Sequence, residues 1–328
     1  MIVISNKDHP LVGFQVHFGG GSVTDPVGLE GLTYLTGQLL MRGTANRTHA
    51  EQAEAIDRLG AVLHVAVGRE NIAIEGEVLS RHFDSLVEVL LDCLTHPAFA
   101  DDQLQQLKRQ TITHLDERRD NDETLVREVF LQWVNQPDPI ARPTVGTEQT
   151  IARIQRSDVV SCAERLFTVR NRSIYAAGDV SARAIQEKVA EPLGVLPLGE
   201  ALLPMDVRPS STDGVQVVLI DKPERTQSQI MIGHPTIEAA HPDHLALSLG
   251  NMIFGGTFTA RLSYEIREKR GWSYGAYSQL LSFRHGGTFA YRYYPAVGDT
   301  ADALALGLEL MDALVQDGVS DEEVAFAK

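Results

Sequence analysis

The sequence is poor in cysteine, in positive charge and in long apolar runs. Its 328 residues contain two cysteines, Cys93 and Cys162, too few for a disulfide scaffold or a thiolate zinc site. No run of about 18 apolar residues occurs, which argues against a membrane-spanning helix. Lys and Arg total 29 against 44 Asp and Glu, a formal charge of −15. Sequence-independent nucleic-acid binding needs clustered cations, so that class is set aside. The start, Met1-Ile-Val-Ile-Ser, has no basic region followed by a long apolar stretch, and no signal peptide is expected. Two unpaired thiols favour the cytoplasm, with the periplasm as the alternative should a leader have been removed. What remains is ordinary for a folded chain: 43% hydrophobic residues and a length that suggests two domains.

The chain reads as two similar halves. Residues 79–108 align without a gap on residues 299–328. Leu86 falls on Leu306, Leu90 on Leu310, Leu94 on Leu314, Asp101 on Asp321 and Lys108 on Lys328. Upstream, Leu32, Leu40, Gly43 and Thr44 fall on Leu245, Ile253, Gly256 and Thr257 with a small change of offset, as loops absorb.

Each half has the pattern strand, helix, helix, strands, helix. Residues 11–18 predict a strand, and Leu29, Leu32, Leu35 and Leu39 place a helix at about 28–41. Thr48-His49-Ala50-Glu51 is a capping box, and Gly60 ends the helix that it opens. Residues 61–67 and 70–77 read as a hairpin. Helix 80–95 stops at Pro97, and helices follow at about 101–119, 123–135 and 157–167, before a strand near 172–178. Prolines 192, 197, 204 and 209 mark a linker, and a strand at 215–220 opens the second half. The expected organisation is a first half over 1–195, a linker over 196–213 and a second half over 214–328. The second half has no counterpart for roughly ninety residues of the first, and it is expected to be incomplete.

The run Gly28 to Thr44 resembles the zinc helix of pitrilysin/insulinase-type metallopeptidases, the inverted zincins, a family that includes the mitochondrial processing peptidases. Active members carry H-x-x-E-H there, followed four residues later by Gly-Thr. Counted back from Gly43-Thr44, the three positions are Tyr34, Gly37 and Gln38. Tyr and Gln are poor zinc ligands beside imidazole, and Gly37 has no side chain to take a proton. The family's third ligand maps to His114. One imidazole does not make a zinc site, and His114 with Glu117 one turn away reads as a solvated helix face. His241 and His244 also read as a surface pair at a helix start. No metal-binding residues and no catalytic residues are therefore assigned, and no cofactor is expected in this chain.

The run Gly255 to Gly275, with Arg267-Glu268-Lys269-Arg270-Gly271-Trp272-Ser273-Tyr274, resembles the family's second signature. In the family an Arg and a Tyr at this spacing face the zinc, and they map to Arg267 and Tyr274 as substrate-binding residues. Trp272 replaces a smaller apolar residue. Independently of the family, Arg267 in a last helical turn and Tyr274 on a following strand would converge on one point. A guanidinium fork suits peptide carbonyls and a phenol suits an oxyanion.

The resemblance implies an α+β fold of the processing-peptidase type, with two homologous halves, each a mainly antiparallel sheet with helices packed on one side. It also implies a non-catalytic, substrate-orienting subunit of a heterodimeric zinc metalloendopeptidase. The partner would be a homologous subunit bearing H-x-x-E-H and the zinc, and extended peptides would be the ligands. The rival expectation is an inert structural or peptide-binding assembly module.

Overall fold

The computed structural model describes residues 1–202 and 214–328. They form two compact units, Met1–Glu117 with Arg142–Met205, and Arg118–Ala141 with Asp206–Lys328. The expected first half, 1–195, is thus interrupted, because residues 118–141 group with the second unit. Residues 203–213 of the expected linker lie outside the described residues.

The first unit is built on β1 (Ile2–Ser5), β2 (Leu11–Gly19), β3 (Val62–Val67), β4 (Asn71–Leu79) and β5 (Arg172–Gly178), in the order β1-β5-β2-β4-β3. Only β1 and β5 run parallel; the other pairs are antiparallel. Period-two patterning decides what each face does. Val12, Phe14, Val16 and Phe18 of β2 are buried, whereas Gly13, Gln15 and His17 alternate with them on the opposite face.

Helices α1 (Leu32–Leu39), α2 (His49–Asp57), α3 (Phe83–Thr95) and α4 (Asp101–Asp120) are followed by α5 (Asp122–Asn135) of the second unit, then α6 (Glu148–Arg153), α7 (Arg156–Leu166) and α8 (Ala182–Ile185). Leu35 and Leu39 of α1 and Leu86 and Leu90 of α3 are at most 1% exposed and join the β2 side chains in one core. Full burial of each such leucine contributes about 2 kcal/mol. The capping box at Thr48 and Glu51 forms as the sequence predicts.

The second unit holds β6 (Ile230–Thr236), β7 (Ala276–Ser282) and β8 (Gly287–Tyr293), all antiparallel, in the order β6-β8-β7. This repeats the β2-β4-β3 order of the first sheet. Helices α9 (His244–Asn251) and α10 (Arg261–Ser263) each continue as a π-helical turn, over Met252–Gly256 and Tyr264–Lys269, and α11 (Thr300–Asp317) and α12 (Asp321–Ala327) follow. Phe254, Leu262, Ile266, Phe289, Tyr291, Tyr293 and Leu306 form its core. Both buried phenols are anchored on α11: Tyr291 donates to the Gly307 carbonyl at 3.1 Å and Tyr293 to the Ala303 carbonyl at 2.8 Å. The fold is α+β with a repeated half, as the sequence suggests.

On the other face of this sheet lies α5, packed against β6 and β8. Thr288 Oγ1 donates to Asn135 Oδ1 at 3.0 Å, and Arg292 pairs with Glu123. The approach is close enough that a Cβ on Gly233 would stand 2.9 Å from the Phe130 ring. The second sheet therefore has helices on both faces. The strand expected at 215–220 does not form; Val215, Val217 and Leu219 are more than 80% exposed, and among the described residues the first strand of the unit is β6 instead.

Candidate functional site

In the first unit, α1 opens at Gly31, whose φ of 93° serves as the N-cap. The Asp25 carboxylate accepts from Gly31 N at 2.8 Å and from Thr33 N at 2.9 Å, satisfying donors that a helix start leaves unpaired. Burial pushes the Asp25 carboxyl above its ordinary value, with the Thr33 and Gly31 hydrogen bonds pulling back part of the shift.

Of the three zinc-helix positions, Gly37 is buried and faces β3: a Cβ there would lie 2.8 Å from Val67 Cγ2 and 3.1 Å from Val65 Cγ1. Gln38 Nε2 donates to the Val65 carbonyl at 3.0 Å, so its amide is spent on the outer edge of β3. Tyr34 is half-buried on the same helix. At the end of α1, Arg42 Nη2 donates to Gln110 Oε1 of α4 at 2.5 Å. His114, one turn further along α4, sits 3.8 Å from Glu117 with 54% of its side chain exposed. No three His, Cys, Asp or Glu side chains gather as a metal-holding group among the described residues. The donor set does not fit the zinc centre of active inverted zincins, and no metal-dependent step is derived for it.

The Gly43-Thr44 turn after this helix is rigidly held. Gln52, fully buried, accepts from Gly43 N at 2.6 Å and donates to the Leu40 carbonyl at 3.0 Å and to Cys93 Sγ at 2.8 Å. Asp92 accepts from Thr44 Oγ1, Asn46 Nδ2 and Arg47 Nη1 at 2.7, 2.5 and 2.6 Å. Burial alone would raise the Asp92 pKa, but these three donors outweigh it and hold the carboxyl below its ordinary range.

In the second unit, Arg267 lies in the π-helical turn after α10. That helix closes at Gly271, where φ is 65°, with Trp272 N donating to the Ile266 carbonyl at 3.1 Å. The chain then bends through Ser273 and Tyr274, and β7 begins only at Ala276. Tyr274 thus stands on a bend rather than on the strand the sequence suggested. The bend is fixed by Ser273, 4% exposed, which donates to the Gly275 carbonyl at 2.6 Å and accepts from Tyr294 N at 3.0 Å.

Arg267 and Tyr274 do come together. The guanidinium carbon lies 5.5 Å from the Tyr274 ring centre and 3.7 Å from that of Phe258. Phe258, half-exposed, is the member that sequence reasoning missed. Its place beside Gly255-Gly256-Thr257 was visible, but nothing in the spacing indicated a stacking partner. Arg267 Nη1 also donates to Glu268 Oε1 at 2.7 Å. On the neighbouring face, Lys269 and Arg270 hold Glu265 at 2.5 and 2.7 Å, and those bonds keep the Glu265 carboxyl below its ordinary value. The result is a guanidinium stacked on the Phe258 ring and close to that of Tyr274, whose phenol is 78% exposed. Such a group can offer planar donors to carbonyl oxygens. His244, by contrast, donates or accepts at Ser282 Oγ, 2.7 Å away, and is a packing residue of α9 and β7.

Comparison with known proteins is consistent along the whole chain. Residues 1–148 match the family described as insulinase (peptidase family M16), and residues 153–328 match the peptidase M16 inactive domain. An uncharacterized zinc protease of Mycobacterium leprae is 25% identical over 95% of this chain and 71% of its own length. Another, from Bacillus subtilis, is 22% identical over 100% of this chain and 79% of its own length. A peptidase M16 inactive domain from Pseudomonas fluorescens has the same fold, with a TM-score of 0.93 at 23% identity over 99% of this chain and 79% of that one. A protease from Helicobacter pylori follows at 0.90 and 15% identity, over 99% of this chain and 80% of that one. With both halves matched and the zinc-helix positions held by Tyr34, Gly37 and Gln38, the chain belongs to the M16 peptidase family and has a peptidase-like, non-catalytic form of its fold.

Proposed function

We propose that this chain is the non-catalytic, substrate-orienting subunit of a heterodimeric zinc metalloendopeptidase. One observation carries the reading: the zinc-helix positions have lost every catalytic group, while Tyr274 and Phe258 remain assembled around Arg267. A homologous subunit bearing H-x-x-E-H would supply the zinc and the general base. Arg267 would donate to the carbonyls of an extended peptide, and Tyr274 to the oxyanion formed on attack. Backbone pairing would bind such peptides with little sequence preference.

Reconstitution with an H-x-x-E-H subunit tests this. Loss of a charge-assisted hydrogen bond, about 1.5–3 kcal/mol, should lower kcat/KM by roughly 10- to 150-fold in Arg267→Ala, with Arg267→Lys recovering part of the loss. Assembly, followed by gel filtration, should be unchanged. Equal turnover by wild type and Arg267→Ala defeats the reading.

A second reading, an inert structural or peptide-binding module, draws on the Arg267–Glu268 contact, which already occupies part of the guanidinium. It gains if no H-x-x-E-H homologue ever confers activity on the pair.

A further inference from the structure

The loop that carries Phe258 is braced on both sides. Before it, the π-helical turn Met252–Gly256 ends close against β7, where a Cβ on Gly255 would stand 2.8 Å from Ser278 N. After it, α10 starts from Ala260, which is 5% exposed and donates from its N–H to the Thr257 carbonyl at 3.3 Å. Between these anchors the Phe258 ring stays half-exposed.

The ring meets the Arg267 guanidinium face on. A separation of 3.7 Å is van der Waals distance for two stacked planes, whereas Tyr274 at 5.5 Å stands further off. Stacking decides which donors remain. A guanidinium has five N–H groups, all in its plane. Phenylalanine has no lone pair to accept any of them, so it grips the flat face and consumes no donor. Glu268 Oε1 accepts from Nη1 at 2.7 Å, and among the described residues Nε and Nη2 make no hydrogen bond. The neighbouring cations Lys269 and Arg270 are both committed to Glu265 instead. An arginine that samples its rotamers freely loses that freedom on meeting a ligand, which weakens binding. One already stacked has lost it beforehand.

We propose that Phe258 is a positioning residue for peptide binding: it orders the Arg267 guanidinium by one face and leaves Nε and Nη2 open to peptide carbonyls. The inference rests on the substrate-orienting reading of this chain and adds to it the group that makes Arg267 ready.

Two measurements test it. In the chain reconstituted with an H-x-x-E-H subunit, Phe258→Leu should raise KM about 3- to 10-fold at unchanged kcat, because contacts to peptide carbonyls are made in the ground and transition states alike. Phe258→Trp restores a π face and should recover KM. In an Arg267→Ala background Phe258→Leu should change nothing further. In the 15N-labelled chain alone, the Arg267 Nε–H resonance, identified by its loss in Arg267→Lys, should move downfield in Phe258→Leu as ring shielding disappears. Phe258→Met replaces Phe258→Leu if circular dichroism shows the latter misfolded. An unmoved resonance, an unchanged KM, a loss confined to kcat, no recovery in Phe258→Trp, or an equal cost of Phe258→Leu with and without Arg267 would each overturn the proposal. Turnover lost in Arg267→Ala but not in Phe258→Leu sinks this role alone. Turnover unmoved in Arg267→Ala sinks the subunit reading and this role with it.

Discussion

Removing the Asp92 carboxylate is the most informative perturbation of the first unit. Its side chain is 8% exposed and that of Arg47 is 32% exposed. In Asp92→Ala, Asn46 and Arg47 can turn to water, but Thr44, 6% exposed, loses the partner that orients its hydroxyl. That hydroxyl in turn accepts from Asn46 N and Arg47 N at 3.1 and 3.0 Å, so the whole turn loosens. A net 1–3 kcal/mol for the stranded hydroxyl, plus a fraction of two charge-assisted bonds, gives about 3 kcal/mol. Asp92→Asn keeps the shape and an acceptor but loses the charge, at about 1.5 kcal/mol, and Arg47→Met costs about 1 kcal/mol. Urea unfolding measures the series. Cys93 belongs to the first unit and reports its opening through thiol labelling, while both tryptophans, Trp133 and Trp272, belong to the second and report separately. The pH dependence is fixed in sign. A folded pKa below the ordinary 3.8 means that the contribution is fully present above about pH 4 and fades as pH falls through the folded value. The gap between wild type and Asp92→Asn should therefore be constant from pH 7 to 5 and close in stronger acid. A cost under about 1 kcal/mol for Asp92→Ala, or equal costs for Ala and Asn, refutes the reasoning.

Other outcomes follow from the same geometry. Gly37→Ala should destabilise by about 1–3 kcal/mol through overpacking against Val67, and adding Val67→Ala should recover part of it in thermal melts. Cys93, pushed up to about 12 by burial, should be silent to thiol reagents at pH 8 in the native state and react fully in denaturant. The Glu323 carboxyl, held at about 2 mainly by Arg261, stabilises α12 above its ordinary 4.5 and loses that effect as pH falls from 4.5 towards 2. Ser320→Ala removes the reciprocal cap at the start of α12 and should cost about 1 kcal/mol, read as faster amide exchange in that helix.

The repeat was legible because its signals are local: leucines at helical spacing, Gly-Thr pairs after helices, and the Thr48 capping box. The Arg267–Tyr274 convergence was legible for a similar reason, since Gly271 lies between them and turns the chain. Failures came where distant contacts decide. Val215, Val217 and Leu219 have strand composition but no pairing partner among the described residues, whereas β6, which contains Gly233 and Pro235, was not among the strands read from the sequence. As an outer strand of its sheet β6 tolerates Pro235, and Gly233 gives room to Phe130 from α5. The allegiance of α5 rests on contacts across more than a hundred residues of sequence, such as Asn135 with Thr288, which no window of sequence reveals. Phe258 escaped notice for the same reason, because stacking on a guanidinium leaves no periodic trace.

That allegiance has a kinetic consequence. Residues of α5 leave the ribosome well before the strands they cover, so the helix waits for roughly a hundred further residues before its apolar side is hidden. Its early exposure and the high contact order of the second unit predict that this unit completes folding late and is the one that chaperones guard during synthesis. Separating the halves genetically near residue 200 would strand α5 on the wrong fragment, leaving one product with an orphan helix and the other with a bare sheet.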